Sequence, residues 1–120
     1  MRDSLNSQVE GRTPLMHASF EGDLDRVIRL LDGGSDPNAR DAGGDTALMF
    51  ASMGGYFLIV KMLLAHGADP LACARNGWTA LRFAESRQHR EVASLLRRAE
   101  EKAYRDGMAR LRAELDGLAR

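Results

Sequence analysis

The chain lacks the cysteines needed for a disulfide and has no net charge. It contains one cysteine, Cys73, in 120 residues. A single thiol cannot form an intramolecular disulfide, and this composition suits a reducing compartment. Aromatic residues make up only 6% of the chain, and Lys plus Arg equal Asp plus Glu at 17 each. Because the net charge is zero, we predict no nucleic-acid partner and no anionic membrane surface as a partner.

Long hydrophobic runs are also scarce. The N-terminal residues MRDSLNSQVEGR contain no apolar run, so we predict no secretory signal and expect a cytoplasmic protein. The most apolar segment, residues 46–64, carries one charge, Lys61, and is interrupted by Gly54 and Gly55. A membrane-spanning helix needs about 20 predominantly apolar residues without such a break. We therefore predict no membrane span, and the hydrophobicity of this segment needs another explanation.

A repeat of 33 residues supplies that explanation. Identical residues recur at this offset: Gly11, Gly44 and Gly77; Thr13, Thr46 and Thr79; Leu15, Leu48 and Leu81; Ala18, Ala51 and Ala84. Periods of this length are typical of proteins built from stacked units. The middle unit has a neighbour on both sides and should be the most buried. Segment 46–64 lies in that unit, so we predict that it forms core helices.

Each unit predicts two helices joined by turns. In the first unit, Thr13 suits the N-cap of a helix and Pro14 suits its first position. Gly22 is expected to end this short helix, a second helix follows, and Gly34 stands where a left-handed C-cap belongs. Neither helix can bury its apolar face alone, so the units must stack.

This unit resembles the ankyrin repeat, whose pattern is G-x-TPLHxAA-x-x-G-x-x-x-VV-x-LLL-x-x-GAD. The segments GRTPLMHASFEG, GGDTALMFASMGG and IVKMLLAHGADP carry the resemblance, and NGWTALRFAESRQHREVASLL is similar to a last repeat. The resemblance implies an all-α solenoid of three helix-turn-helix repeats with short hairpin loops. The ankyrin repeat domain is expected over 1–99, with repeats at about 8–40, 41–73 and 74–99.

The chain departs from the ankyrin pattern at the histidine of TPLH. Met16, Met49 and Arg82 stand there. In the family this histidine helps to tie the hairpins together, so the resemblance implies weaker ties. The next position in each repeat normally points inward, which places His17, Phe50 and Phe83 in the core.

Residues 100–120 predict a C-terminal amphipathic helix, because they are rich in Ala, Glu, Arg and Leu. A change of apolar phase at Gly107 predicts a break near Asp106 and Gly107, with a final helix from about Met108. This segment caps the third repeat, docks a partner or a second copy, or is a linker. Two heptads are short for a coiled coil, so we favour a monomer over a homodimer. The apolar positions are Tyr104, Met108, Leu111, Leu115 and Leu118.

The sequence contains no arrangement of residues typical of catalysis or of a cofactor site. His17, His66 and His89 lie in different units, and Cys73 is not at a metal-ligand spacing from them. The paired glycines do not match the phosphate-binding pattern G-x-x-x-x-G-K-[ST]. We predict a non-catalytic protein with no metal and no cofactor.

The resemblance places partner binding on the concave, hairpin-side surface, at the hairpin tips and the exposed face of the first helices. Phe20 and Met53 are apolar where solvent is expected, and Trp78 is expected at a tip. Each of the three could instead pack locally. The predicted partner-binding residues are Glu10, Arg12, Phe20, Glu21, Asp45, Met53, Arg75, Asn76, Trp78 and Arg87. We predict a protein partner, with self-assembly through the C-terminal apolar positions as the alternative.

Charge is distributed unevenly along the repeats. Residues 74–98 contain six arginines against two glutamates, whereas residues 1–40 contain seven acids against five arginines. The basic end is either a solvated cap or a surface that meets an acidic patch on a partner.

Overall fold

The computed structural model of the chain describes residues 10–119, and within them the chain forms six helices and no strand. The helices are α1 (Pro14–Glu21), α2 (Leu24–Asp32), α3 (Ala47–Gly54), α4 (Phe57–Ala65), α5 (Ala80–Ser86) and α6 (Arg90–Leu118). The first helices of the repeats pack in the order α1, α3, α5, and α2, α4 and α6 form a second layer. This confirms the predicted all-α repeat solenoid. The predicted start of the first repeat, near residue 8, lies outside the described residues.

A threonine begins the first helix of every repeat, as the sequence predicts. The hydroxyl of Thr13 accepts a hydrogen bond from the Met16 N–H at 3.2 Å. Thr46 and Thr79 make the equivalent bond in α3 and α5, at 3.4 and 3.3 Å. Each bond satisfies one of the backbone donors that a helix start leaves unpaired.

The turn between the two helices of a repeat requires a left-handed residue, and the next repeat packs against it. Gly22 has φ 78° and Gly55 has φ 73°. A Cβ at Gly22 would lie 2.7 Å from the Tyr56 ring, and one at Gly55 would lie 2.5 Å from the His89 ring. Glycine is therefore required at these turns for two reasons: it adopts the left-handed conformation without strain, and it leaves room for the ring of the next repeat.

The third repeat uses Gln88 at the same turn. Gln88 has φ 63° and is exposed. No further repeat packs over this turn, because α6 continues as a helix instead of entering another hairpin. A side chain fits at Gln88 for that reason, although the left-handed backbone still costs about 1–2 kcal/mol for a residue other than glycine.

The middle repeat is the most buried, as expected from its position. Every residue of α3 from Ala47 to Ser52 is buried. In α4 the residues Ile59, Val60 and Leu63 are buried as well. The apolar segment 46–64 thus forms two core helices separated by a turn at Gly55. Within the described residues, no helix is both long enough and apolar enough to span a membrane.

Helix α6 corrects one expectation for the C-terminus. It runs without interruption from Arg90 to Leu118, so the predicted break near Asp106 and Gly107 is wrong. One glycine costs a helix only about 1 kcal/mol relative to alanine, and the flanking residues are strong helix formers. The Lys102 ammonium also binds the Asp106 carboxylate at 2.9 Å. This ion pair supports the helical turn that leads into the predicted break. The expected boundary between residues 99 and 100 falls inside this helix.

The end of α6 does not cap the third repeat. The buried residues of α6 are Val92, Ala93 and Leu96, all near its start, where α6 packs against α4 and α5. All residues from 108 to 119 are exposed. The helix therefore projects beyond the stack, and the molecule measures 62 × 30 × 28 Å.

Candidate partner-binding surface

The hairpins at the edge of the stack are joined by backbone hydrogen bonds. The N–H of Ala42 donates to the Glu10 carbonyl at 2.7 Å, and the N–H of Arg75 donates to the Gly43 carbonyl at 3.1 Å. These bonds fix the spacing between successive hairpin tips. Side chains on the tips therefore stand on a rigid edge, which suits a binding surface.

Asp41 and Arg40 hold the second hairpin in place. The Asp41 carboxylate accepts hydrogen bonds from the N–H groups of Gly43 and Asp45, at 3.0 and 2.8 Å. The Arg40 guanidinium donates to the Cys73 carbonyl at 2.7 Å, where the chain enters the third hairpin. Asp41 thus fixes the shape of the second hairpin, and Arg40 ties it to the next one in a chain that lacks the usual histidine at Met16 and Met49.

A first cluster of an arginine and two aromatic rings lies between repeats one and two. The Arg12 guanidinium carbon is 4.9 Å from the centre of the Phe50 ring, and Arg12 Nε is 3.5 Å from Asp41 Oδ2. Phe20 meets the same Phe50 ring edge-on at 6.1 Å. Phe50 is buried, as predicted, whereas Phe20 is 61% exposed. Phe20 therefore presents a large apolar surface on a rigid support.

A second cluster lies on the third repeat. The Trp78 and Phe83 rings are 5.1 Å apart, and the Arg82 guanidinium carbon is 4.7 Å from the centre of the Trp78 ring. Trp78 and Phe83 are half-buried and Arg82 is exposed. Phe83 is therefore less buried than expected. Trp78 takes part in local packing and still offers part of its ring to solvent.

The other predicted binding residues differ in their exposure. Glu10, Glu21, Arg75, Asn76 and Arg87 are exposed. Met53 is half-buried and packs against the hydrophobic core, which corrects the expectation that it faces solvent. His17, expected in the core, is half-buried as well. The surface thus has Phe20 at one end, Trp78 at the other and charged side chains around them.

Asp45 lies in an acidic part of the second hairpin. Burial raises the pKa of the Asp45 carboxyl above its usual value, and the neighbouring Asp41 raises it further. The Arg12 guanidinium lowers this pKa in part. Asp45 is half-buried, so its carboxylate is a weaker candidate for binding a partner than the exposed Glu21.

Arg82 belongs to this surface, although it is not among the predicted partner-binding residues. It stands at the histidine position of the TPLH pattern. The available signal was its spacing, because Arg82 follows Trp78 by four residues and the third repeat begins with both. Phe50 was likewise expected only as a core residue, although it also supports Phe20.

The residues predicted for self-association lie together on the projecting part of α6. Tyr104, Met108, Leu111, Leu115 and Leu118 are between 42% and 82% exposed. We call these five residues the apolar stripe. They share one face of the helix because their spacing alternates between four and three residues. Among residues 10–119, no group of three or more His, Cys, Asp or Glu residues is placed to hold a metal ion.

A stack of helix pairs in which each repeat packs against its neighbours is an α-solenoid. The sequence model of the family described as ankyrin repeats (3 copies) matches residues 15–106, and the chain belongs to this family. Ankyrin repeats are in general protein–protein interaction modules and are typically non-catalytic. A comparison with curated proteins found no match.

Proposed function

We propose that this chain binds a partner protein, without catalysis, through the concave, hairpin-side surface of its ankyrin stack. The observation that carries the proposal is the pair of arginine–aromatic clusters at the two ends of this surface. One comprises Arg12, Phe20 and Phe50, and the other comprises Trp78, Arg82 and Phe83. Aromatic and arginine side chains on a rigid support are the types that dominate binding energy at interfaces.

The charge of the surface suggests an acidic region on the partner, opposite the third repeat. Arg75, Arg82 and Arg87 are exposed there. The nearby Glu85 binds Arg97 at 3.0 Å, so its carboxylate is already neutralised by a neighbour on α6. Exposed arginines next to a tryptophan would attract carboxylates and increase the rate of association.

The experiment compares partner capture by the wild type and by three variants of the full chain. Phe20→Glu and Arg82→Glu each change one cluster, and Leu58→Glu is the matched control on α4. Leu58 is 58% exposed but lies in the layer of second helices. We expect each cluster variant to weaken binding at least tenfold and the control to leave it unchanged.

Circular dichroism and thermal unfolding would check that every variant is folded. A partner that is lost with Leu58→Glu and kept with both cluster variants would contradict the proposal. Such a result would move the binding surface to the layer of second helices.

Self-association is a second candidate function, and the exposed apolar stripe on α6 favours it. Five large apolar side chains in a row on one helix face form a patch of the kind that marks an interaction site. The uninterrupted helix carries the stripe as one rigid unit. Light scattering over a range of concentrations tests this candidate, because a monomer at every concentration would exclude it.

A further inference from the structure

The outer face of α4 is apolar, whereas the outer face of α2 is charged. Helix α2 reads LDRVIRLLD and contains four charged residues, but α4 reads FLIVKMLLA and contains one, Lys61. Leu58 and Ala65 are exposed on α4. A helix that is apolar on all sides is normally buried on all sides. The outer face of α4 is therefore suited to contact with another protein.

An apolar groove lies between α2 and α4 on this outer face. The residues that line it are Leu24, Ile28, Leu58, Lys61, Met62 and Ala65. We call it the outer groove. It encloses about 290 Å³. Pockets for small molecules usually enclose about 300–1,000 Å³, so the side chains of another helix fit this groove better than a ligand does. The molecule thus exposes an apolar groove on its stack and the apolar stripe on α6.

Two aspartates border the outer groove on α2. Asp25 and Asp32 are seven residues apart, and both are exposed. At about 100° per residue they lie about 100° and 80° around α2 from Leu24, whereas Arg29 lies about 140° around it and farther from the groove. Asp32 Oδ1 is 3.7 Å from His66 Nε2, but the Asp32 side chain remains 69% exposed. Both carboxylates are therefore accessible to a second molecule.

The charges beside the apolar stripe complement those beside the groove. Arg105 and Arg112 are seven residues apart on one side of the stripe, and Glu114 lies on the other side; all three are exposed. When the stripe lies in the groove with its arginines toward α2, they face two aspartates of the same spacing, and Glu114 faces the wall that carries Lys61. Reversing the direction of the helix would exchange the two sides and bring the arginines to Lys61. Charge therefore favours one direction of docking.

We propose that the apolar stripe of one copy of this chain binds in the outer groove of a second copy, with Arg105 and Arg112 opposite Asp25 and Asp32. This inference rests on the second candidate function above and names the surface that the stripe contacts. Because the two surfaces differ, the contact is heterologous. It lies in the layer of second helices and leaves the concave surface free for a partner.

The first test blocks one surface at a time in the full chain. Leu58→Glu places a charge in the outer groove, and Leu111→Glu places one in the stripe. These leucines are 58% and 46% exposed, so both variants should fold, which circular dichroism checks. By light scattering, we expect each variant alone to be monomeric where the wild type associates. An equimolar mixture should form a 1:1 complex, because Leu58→Glu keeps its stripe and Leu111→Glu keeps its groove.

The outcomes separate this inference from self-association in general. If Leu58→Glu associates like the wild type and Leu111→Glu does not, the stripe binds a different surface, which overturns the inference and leaves the second candidate function intact. If both folded variants are monomeric and their mixture forms no complex, the inference is also wrong. A wild type that stays monomeric up to about 1 mM would overturn both.

The second test reverses the charges on each side of the contact. One double variant carries Arg105→Asp and Arg112→Asp, and the other carries Asp25→Arg and Asp32→Arg. Each places like charges opposite one another, so we expect each to weaken self-association about tenfold or more. Mixing the two should restore association, because every facing pair is then of opposite charge.

A single change controls for net charge. Arg90→Asp makes the same change as Arg112→Asp, but Arg90 is exposed at the start of α6, outside both apolar surfaces. We expect Arg112→Asp to weaken self-association and Arg90→Asp to leave it unchanged. Equal weakening by these two variants, or no recovery in the mixture of folded double variants, would contradict the proposed contact.

Discussion

The two halves of α6 have similar apolar spacing and opposite surroundings. In residues 90–103 the apolar side chains Val92, Ala93 and Leu96 are buried where α6 packs against α4 and α5. In residues 104–118 the apolar stripe is exposed. The comparison shows that the apolar face of a long helix is buried only where neighbouring helices of the stack lie against it. Beyond those helices, the apolar face remains exposed and could contact another molecule.

The largest expected effect on stability comes from comparing two variants, each of which shortens one leucine in one half of α6. Leu96 is fully buried, so Leu96→Ala should lower the free energy of unfolding by about 2–5 kcal/mol through the lost burial and the cavity left behind. Leu111→Ala, which removes the same atoms from the exposed half, should change it by about 0.5 kcal/mol or less. Urea unfolding followed by Trp78 fluorescence, at a concentration where the chain is monomeric, measures both. Equal losses would mean that the stripe is covered within the monomer.

The next test concerns the start of α6. Gly55 has φ 73°, and the His89 ring that precedes α6 packs directly over it. The His89 ring nitrogen Nε2 is 3.0 Å from the Met53 carbonyl oxygen, which keeps the ring in this place. Gly55→Ala should destabilise the fold by about 2 kcal/mol or more, from the left-handed backbone and the contact together. A variant as stable as the wild type in thermal unfolding would show that His89 moves away freely.

A smaller effect of opposite sign is expected at Gln88. This residue has the same left-handed backbone as Gly55, but it is exposed. Gln88→Gly should raise the free energy of unfolding by about 0.5–1 kcal/mol, because glycine adopts this conformation without the steric cost while losing more chain entropy. Gln88→Asn, a residue that tolerates the left-handed region better than most, should give a smaller gain. Destabilisation by Gln88→Gly would mean that the glutamine side chain makes a contact that stabilises the folded state.

The smallest effect is expected in the projecting half of α6. Gly107 lies inside the helix, and a Cβ there would meet nothing within 4 Å. Gly107→Ala should stabilise the helix locally by about 1 kcal/mol and leave the unfolding of the stack unchanged. Amide hydrogen exchange should slow for residues 108–117 and not for α3. Slower exchange throughout the molecule would show that the projecting half is coupled to the stack.

Much of the fold could be predicted from the sequence because its signals were local and recurred at one fixed offset. The threonine caps and the left-handed Gly22 and Gly55 act within one turn of chain, and their recurrence every 33 residues specifies stacking. The candidate surface could be predicted only in outline. Exposure of Phe20 followed from its position in the repeat, whereas Met53, at the equivalent position, is half-buried against the core.

The C-terminal helix shows where reasoning from local pattern failed. The apolar phase changes near Gly107, and a glycine at a phase change resembles a helix break. The structure has no break, because a change of phase alters only which face is apolar and leaves the backbone hydrogen bonds of the helix in place. The phase change instead marks where α6 leaves the stack, so that one apolar face is buried and the other is exposed.

The sequence by itself determined the all-α repeat architecture, the three helix starts and the turns, because caps and glycine conformations depend on residues adjacent in the chain. Only the tertiary structure decided which side chains remain exposed on the hairpin side and how Arg12 lies over the Phe50 ring. It also decided that α6 extends beyond its neighbours. Exposure and stacking depend on residues about 30 positions apart in the chain, or on the lack of any neighbour, and no local pattern of residues contains that information.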